Sequence, residues 1–393
     1  MSTTTPSSDD AGTATGHPTV APAGQSAYFS GDVEAKALGL YRILREDGTL
    51  VEGEHVNVDR EQALRMYRGM LTIRIMDERL LALQRQGRTG FYGESRGQEA
   101  AIVGSAAATA PQDWIVPALR EAGVGIYRGM PMNSYVAQIF GNGEDPSKGR
   151  QMPCHPCDKD TNYVVMSSVV ASQIPHAVGI AWGMKILGDT DKVCVGYMGD
   201  GATSEADFHV AINFAGVSKA ACVLICQNNQ WAISTPGSIQ TAAETIAIKG
   251  CGYGVESLRA DGNDIFAVHE VTRYAVEKAR AGGGPTFIEL LTYRVSAHSS
   301  SDDPSRYRDE SVTDVWRDDR DPLSRARVFL EHRGWLDLGQ HDEYVAAIEK
   351  RVREVIATEE AKAPPALDTL IEDVFEEPTW LLQEQLAEYL RTQ

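Results

Sequence analysis

The sequence predicts an α/β fold: a mostly parallel sheet with helices on both faces, entered by an N-terminal arm and followed by C-terminal helices. Three observations carry this. Short, continuously apolar runs at Val193 to Met198, Ala221 to Cys226 and Thr286 to Leu291 read as strands buried on both faces, as parallel strands are. Ser204 to Ala215 lies between the first two and is long enough for a crossover helix, which makes a right-handed βαβ unit. Before about Gly87 and after about Pro322 the apolar residues return with helical spacing.

In chain order, residues 1–30 form a low-complexity Ser, Thr, Ala, Gly and Pro tail, a composition that leaves a chain disordered. Residues 31–58 are an N-terminal arm. Within it Asp47-Gly48 separates Leu40–Leu44 from Thr49–Val51 and signals a hairpin. A long helix starts near Asp59, where Asp59 and Gln62 have capping-box spacing, and its apolar stripe runs from Leu64 to Leu83 before Gly87. Residues 59–321 make the main α/β unit. Residues 322–393 read as amphipathic helices, with a Glu- and Leu-rich end free to pack on a partner or lie on the surface.

With 37 Lys and Arg against 55 Asp and Glu, the chain carries a net charge of −18 and is a poor candidate for wrapping nucleic acid or lying on an anionic membrane. The apolar stretch Val164 to Leu187 is interrupted by Ser167, Ser168, Ser172, Gln173, His176 and Lys185, unlike a membrane span. The N-terminus has neither the basic start nor the apolar run of a signal peptide, so a soluble cytoplasmic protein is expected. The six cysteines are irregularly spaced and do not suggest a disulfide framework. Cys194, Cys222 and Cys226 fall in strand-like runs as buried thiols. Cys154-His155-Pro156-Cys157 is a C-x-x-C lacking the second ligand pair of a zinc site and the strand–helix setting of a redox motif.

The strongest chemical signal is Gly199-Asp200-Gly201 followed by Asn228-Asn229. Asp200 closes one predicted strand and Asn229 lies just beyond the next. Ligands bind outside the carboxyl ends of open parallel sheets, and adjacent strands lie about 4.8 Å apart. The Asp200 carboxylate and the Asn229 amide oxygen can then reach one cation. Mg²⁺ prefers hard oxygens in an octahedron and shares them with phosphates, so Asp200, Asn229 and a carbonyl near Trp231 would leave positions for a diphosphate and a water. Gly199 and Gly201 would let the diphosphate approach the backbone, and the helix that follows, from Ala202, would offer its N-terminal N–H groups. A lone Gly-Asp-Gly is usually an ordinary turn; here it stands in a strand, Gly-Asp-Gly, helix, strand, Asn-Asn order.

The run from Gly199-Asp200-Gly201 to Asn228-Asn229 resembles the thiamine diphosphate signature. Its surroundings are similar to α subunits of 2-oxo acid dehydrogenase E1 components, nearest the branched-chain type. The resemblance spans about Leu40 to Arg353. It includes Arg85 to Arg88 with Phe91-Tyr92, Arg120 to Gly123, Gly149 to Pro153, Gln173-Ile174-Pro175, Ala232 to Thr235, Asp261 to Asp264 and Thr292 to Arg308. The hairpin near Asp47-Gly48 and Ser301-Asp302-Asp303 favour the branched-chain type. The resemblance implies a thiamine-diphosphate-binding fold with Mg²⁺ on Asp200, Asn229 and the Trp231 carbonyl. It implies that Arg120 binds the diphosphate, and that His298, on an active-site loop, contacts it and assists acyl transfer. Ser168 and the Val170 backbone match positions near the cofactor's central ring system. Ser167, the Val169 carbonyl, Ser172 and Gln173 match a K⁺ site; the residues alone equally suit a helix-capping Ser with a buried Gln.

The resemblance further implies that the cofactor's thiazolium adds to the 2-oxo carbon, takes up electrons as CO₂ leaves, and hands the acyl unit to a lipoyl group on an E2 core. A carboxylate beside the aminopyrimidine is also required, and the chain carries no motif for it. A β subunit is expected to supply it in an α₂β₂ heterotetramer. The sequence departs from the family at Ala118-Leu119, where aromatic and amide groups often precede the arginine, and at Gln227, where branched-chain members can carry a phosphate-binding arginine. Ser299 matches a position phosphorylated in animal relatives. Two rival readings are a pyruvate or acetoin dehydrogenase α subunit and a non-catalytic diphosphate-binding scaffold.

Overall fold

The structure, a computed structural model, describes residues 26–373 and 375–392. Its centre is a five-stranded parallel sheet built from β1 (Trp114–Val116), β2 (Cys194–Gly199), β3 (Cys222–Asn228), β6 (Glu256–Asp261) and β7 (Thr286–Leu291), in the order β1-β2-β3-β7-β6. Two short antiparallel pieces, β4 (Trp231–Ala232) and β5 (Thr235–Pro236), form a hairpin beyond β3. The three expected strands are present and adjacent. Each sends alternate side chains to opposite faces. Val195, Tyr197, Val223, Ile225, Ile288 and Leu290 enter one core, together with residues of the helices Glu99–Ala107 and Ile265–Arg280. Cys194, Met198, Cys222, Leu224, Cys226 and Phe287 enter the other, against the helices Gln173–Leu187 and Ala206–Ser218. The three strand cysteines are buried free thiols, as expected.

The predicted crossover helix is shifted and divided. A 3-10 turn, Asp200–Ser204, comes first, and the α-helix runs over Ala206–Ser218. The long N-terminal helix is Arg60–Arg85. Only half of its capping box forms: Asp59 accepts from the Gln62 N–H at 2.8 Å, but the Gln62 side chain turns to His269. The hairpin forms at Asp47-Gly48, with Leu44 bridged to Leu50. Most of the tail expected over 1–30 lies outside the described residues. Its last part does not behave as a tail, because Ala27–Ser30 is a 3-10 turn with Phe29 buried against Tyr41 and Tyr274. The arm then extends the sheet edge, Tyr41 exchanging backbone hydrogen bonds with Arg259 and Asp261 of β6.

The C-terminal helices are as anticipated. Pro322–His332 is pinned by Arg325, which is buried and reaches both Asp261 and the Leu44 carbonyl. Leu338–Glu360 buries Val352, Val355 and Ile356 against Leu80, Leu83, Tyr135 and Ile139. The last helix, Trp380–Arg391, buries nothing. Among the described residues no helix is long and apolar enough to cross a membrane.

Candidate active site

Register sets the site. Gly199 pairs with Gln227, and Asn228 pairs with Leu291, so the segments that follow β2, β3 and β7 leave the sheet side by side. The Arg294 N–H donates to the Asn229 carbonyl at 3.2 Å and ties the third segment to the second. Asp200 is 2% exposed. Its Oδ2 accepts from Gln240 Nε2 at 3.0 Å, while its Oδ1 has no partner among the described residues. Burial holds this carboxyl above the usual carboxylate range; the Gln240 hydrogen bond, the Arg294 charge and the Asn229 backbone N–H oppose that rise. Asn229 is buried too. Its amide nitrogen donates to Gln98 Oε1 at 3.1 Å, and its Oδ1 accepts from the Trp231 N–H at 3.2 Å with a lone pair to spare. An orphaned buried carboxylate oxygen beside an amide oxygen is a donor set that fits Mg²⁺.

The two glycines around Asp200 do different things. A Cβ on Gly199 would meet nothing within 4 Å, which leaves its backbone open to a ligand. On Gly201 a Cβ would stand 2.6 Å from Ala232 Cβ, so packing against the β4–β5 hairpin requires that glycine as well. The N–H groups offered just after it belong to the 3-10 turn containing Ala202, not to an α-helix. A cleft of about 570 Å³ reaches Asp200 past Trp231 and Gln240.

The electropositive side comes from Arg120, Arg294 and His298. The Arg120 guanidinium is buried and donates to the carbonyls of Glu94 and His298, the latter at 2.7 Å. Among the described residues it faces no carboxylate closely enough to pair. Burial, then the Arg294 charge, pull its pKa down to about 10. Arg294 is 1% exposed; it donates to the Ile233 carbonyl at 2.8 Å and the Tyr307 hydroxyl at 2.7 Å, and its Nη1 has no partner among the described residues. Burial, then Arg120 and Arg294, hold His298 near 4 against an ordinary 6.5, so the imidazole is neutral at pH 7. Its loop is tied down by Asp302, which accepts from the His298 N–H at 2.7 Å and from Tyr307 at 2.5 Å. Two buried guanidinium groups stand beside a neutral imidazole, with Glu94 and Glu121 acting on Arg120 and Asp302 on Arg294 and His298, and the Arg294 Nη1 left without a partner among the described residues can take an anion. At the position of the departure noted above, Gln227 donates to Glu121 at 2.5 Å, and burial raises Glu121 to about 7.

The loop before the helix Gln173–Leu187 gathers the remaining expected residues. Ser172 Oγ lies 3.0 Å from Ser167 Oγ and donates to the Val169 carbonyl at 2.8 Å. Gln173 donates to the Tyr197 carbonyl and leaves its buried Oε1 without a partner among the described residues. The helix has no side-chain cap, so the capping alternative for these serines does not hold. Val169 and Val170 are exposed, and the Ser168 hydroxyl meets the His155 ring. Three participants were missed from sequence. Gln240 sits in no motif, His155 was absorbed into the C-x-x-C, and Arg294 lay inside the segment Thr292 to Arg308 without being singled out.

Comparison with known proteins gives the family. Residues 67–368 match the family model described as dehydrogenase E1 component. The chain is 40% identical over 358 residues to 2-oxoisovalerate dehydrogenase subunit alpha 2, mitochondrial, of Arabidopsis thaliana, covering 91% of this chain and 76% of that one. It is 40% identical over 357 residues to the mitochondrial subunit alpha of Mus musculus (90% and 80%), and 40% identical over 356 residues to that of Caenorhabditis elegans (90% and 82%). The names of these relatives place them in mitochondria, which overturns the expectation of a cytoplasmic protein drawn from the N-terminal composition. With its family match, its relatives and its sheet-edge geometry in agreement, the chain belongs to the dehydrogenase E1 component family, among the branched-chain 2-oxo acid dehydrogenase α subunits.

Proposed function

We propose that this chain is the α subunit of a branched-chain 2-oxo acid dehydrogenase E1 and holds the diphosphate half of thiamine diphosphate. The orphaned, buried Asp200 Oδ1, with the Arg294 charge acting on Asp200 and the Arg120 and Arg294 charges acting on His298, carries the proposal. Asp200, Asn229 and the Trp231 carbonyl hold Mg²⁺; Arg120, His298, the Gly199 backbone and the Ala202 turn hold the diphosphate. When bound, the cofactor supplies the electron sink for loss of CO₂ from a 2-oxo acid. The protein's residues fix the anion, exclude water and keep His298 available as a hydrogen-bonding group at neutral pH. Ser167, the Val169 carbonyl, Ser172 and Gln173 form a K⁺ site; three converging oxygens and the unpartnered Gln173 Oε1 support it. The cofactor-binding unit is residues 59–321, flanked by the arm 31–58 and the helices 322–393.

A β subunit completes the site in an α₂β₂ assembly, and the acyl group passes to the lipoyl group of an E2 core. The supporting observation is an exposed apolar face beside the cofactor loop. Trp182, Ile186 and Leu187 on the helix that follows that loop and Val210, Phe214 and Val217 on the next stand in solvent, Trp182 against Phe214, as do Val169 and Val170 on the loop itself. Apolar patches of this kind mark interaction surfaces.

The test uses co-expressed α and β chains. Turnover of 3-methyl-2-oxobutanoate should exceed that of pyruvate, and calorimetry should show Mg²⁺-dependent thiamine diphosphate binding. A selective response to pyruvate would end the branched-chain assignment. Absence of metal-dependent binding would favour a scaffold.

A further inference from the structure

Asp77 belongs to no motif and to no part of the site described above, yet it stands directly behind it. It lies on the helix Arg60–Arg85 and is buried. Both of its oxygens are engaged. Oδ1 accepts from the Tyr92 hydroxyl at 2.6 Å, and Oδ2 accepts from the Ser95 N–H at 2.7 Å. Neither donor carries a charge. Burial pushes this carboxyl up to about 7, against the pull of the two donors. An amide of the same shape would accept at one end only, so holding both donors at once takes a carboxylate.

The segment that Asp77 holds by its two ends, residues 92–95, carries the attachments of both Arg120 and His298. The Tyr92 carbonyl accepts from the Ser300 N–H at 2.9 Å, and the Tyr92 N–H donates to the Ser300 hydroxyl at 3.2 Å, two residues beyond His298. A Cβ on Gly93 would come within 4 Å of both the His298 carbonyl and the Arg120 guanidinium. The Glu94 carbonyl accepts from that guanidinium, and the Ser95 hydroxyl donates to the Arg120 carbonyl at 3.1 Å. Arg120 is thus gripped at its backbone by Ser95 and at its far end by Glu94, and its remaining bond runs to the His298 carbonyl at 2.7 Å.

We infer that Asp77 is a positioning residue: by fixing both ends of the segment 92–95 it sets the direction of the Arg120 guanidinium and its place beside His298. The inference rests on the proposed function for what Arg120 binds. A donor group aimed in advance binds an anion without first having to be ordered, and a guanidinium free to turn loses that advantage.

The test is calorimetry of Mg²⁺-dependent thiamine diphosphate binding to the assembled αβ protein at pH 8, on the ionised side of Asp77. Asp77→Asn keeps the shape and turns an amide nitrogen toward one of the two donors. Affinity should fall roughly 10-fold, the scale of one charge-assisted hydrogen bond, with the number of sites per αβ pair unchanged. A group that only supports the fold would lower the number of competent sites and leave Kd as it was. Arg120→Met should weaken binding by itself, and adding Asp77→Asn to it should cost less than about 2-fold more, because no guanidinium is left to aim. If Asp77→Asn does not assemble, Tyr92→Phe, which removes one donor and leaves the carboxylate on Ser95, should cost about 3-fold and show the same dependence on Arg120. An unchanged Kd in these variants, with or without a loss of sites, would overturn the inference alone, and so would losses that multiply in full in the double variant. A wild type that binds no thiamine diphosphate, or an Arg120→Met protein that binds it as the wild type does, would overturn the reading of Arg120 on which the inference stands.

Discussion

Replacing Asp200 by Asn should make the metal-free protein more stable and the loaded protein less so. The side chains are nearly isosteric, and Gln240 can donate to an amide oxygen as it does to Asp200 Oδ2 at 3.0 Å. What disappears is a buried charge with one oxygen unpartnered among the described residues. Such a group costs about 1–3 kcal/mol while its partner is missing. Because burial raises the carboxyl's pKa, its proton is held more tightly by the folded chain than by the unfolded one. The stability that proton confers is full below the ordinary value of 3.8 and lost as pH rises through the raised one, so the wild type bears the cost on the alkaline side of that rise. Asp200→Asn should therefore raise the metal-free Tm by roughly 2–12 °C, taking about 2–4 °C per kcal/mol. Magnesium with thiamine diphosphate at a hundred times Kd should stabilise the wild type by about 2.7 kcal/mol and the variant hardly at all. Thermal melts of the αβ assembly, with and without ligand, should thus exchange order. A variant that melts lower without metal would make Asp200 a structural group, and an equal ligand-induced shift in both proteins would refute the metal assignment.

Arg294→Met should weaken thiamine diphosphate binding roughly 10–100-fold in calorimetry, the loss of one charge-assisted hydrogen bond, and a change under 2-fold would remove Arg294 from the anion site. His298 is held near 4, so the neutral form is favoured by folding; the stability this gives is present above 6.5 and lost as pH falls toward 4. A bound diphosphate should raise that value, and binding at pH 6 should draw a proton from the buffer, measured as a dependence of heat on buffer ionisation enthalpy. His298→Asn should abolish that difference; an unchanged uptake would place the proton elsewhere. Arg325→Met should cost about 3–5 kcal/mol in urea unfolding, because Asp261 and Asp264 would keep buried charges without their shared guanidinium; a loss under 1 kcal/mol would show that this network is dispensable.

The sequence made the centre of this molecule readable and its edges less so. The runs at 193–198, 221–226 and 286–291 are apolar throughout because both of their faces are buried, and that continuity is their signal. The edge strands give weaker ones. β1 has three residues, and β6, Glu-Ser-Leu-Arg-Ala-Asp, carries the polar groups an edge requires. At the site, Asp200 and Asn229 were legible because strand ends place them together. Gln240, Arg294 and His155 were not, since each arrives from a loop or turn with no periodicity. Gly201 was read for ligand approach alone; the neighbouring methyl group of Ala232 adds a packing constraint, a contact between residues 31 positions apart that a one-dimensional reading does not show. Gln62 illustrates the same point: the spacing of a cap was present, but tertiary contact with His269 took the side chain.

Arg120 and Arg294 lie inside a chain whose net charge is −18. The two fields act over different ranges. Beyond a Debye length of about 10 Å at 0.1 M salt, an incoming diphosphate would sense mainly an acid exterior that slows its approach, and only at close quarters would it meet the guanidinium pair. Ionic strength therefore pulls in opposite directions on arrival and retention. Moderate salt screens the outer repulsion and quickens capture, while the dry inner contacts that govern release are shielded from it.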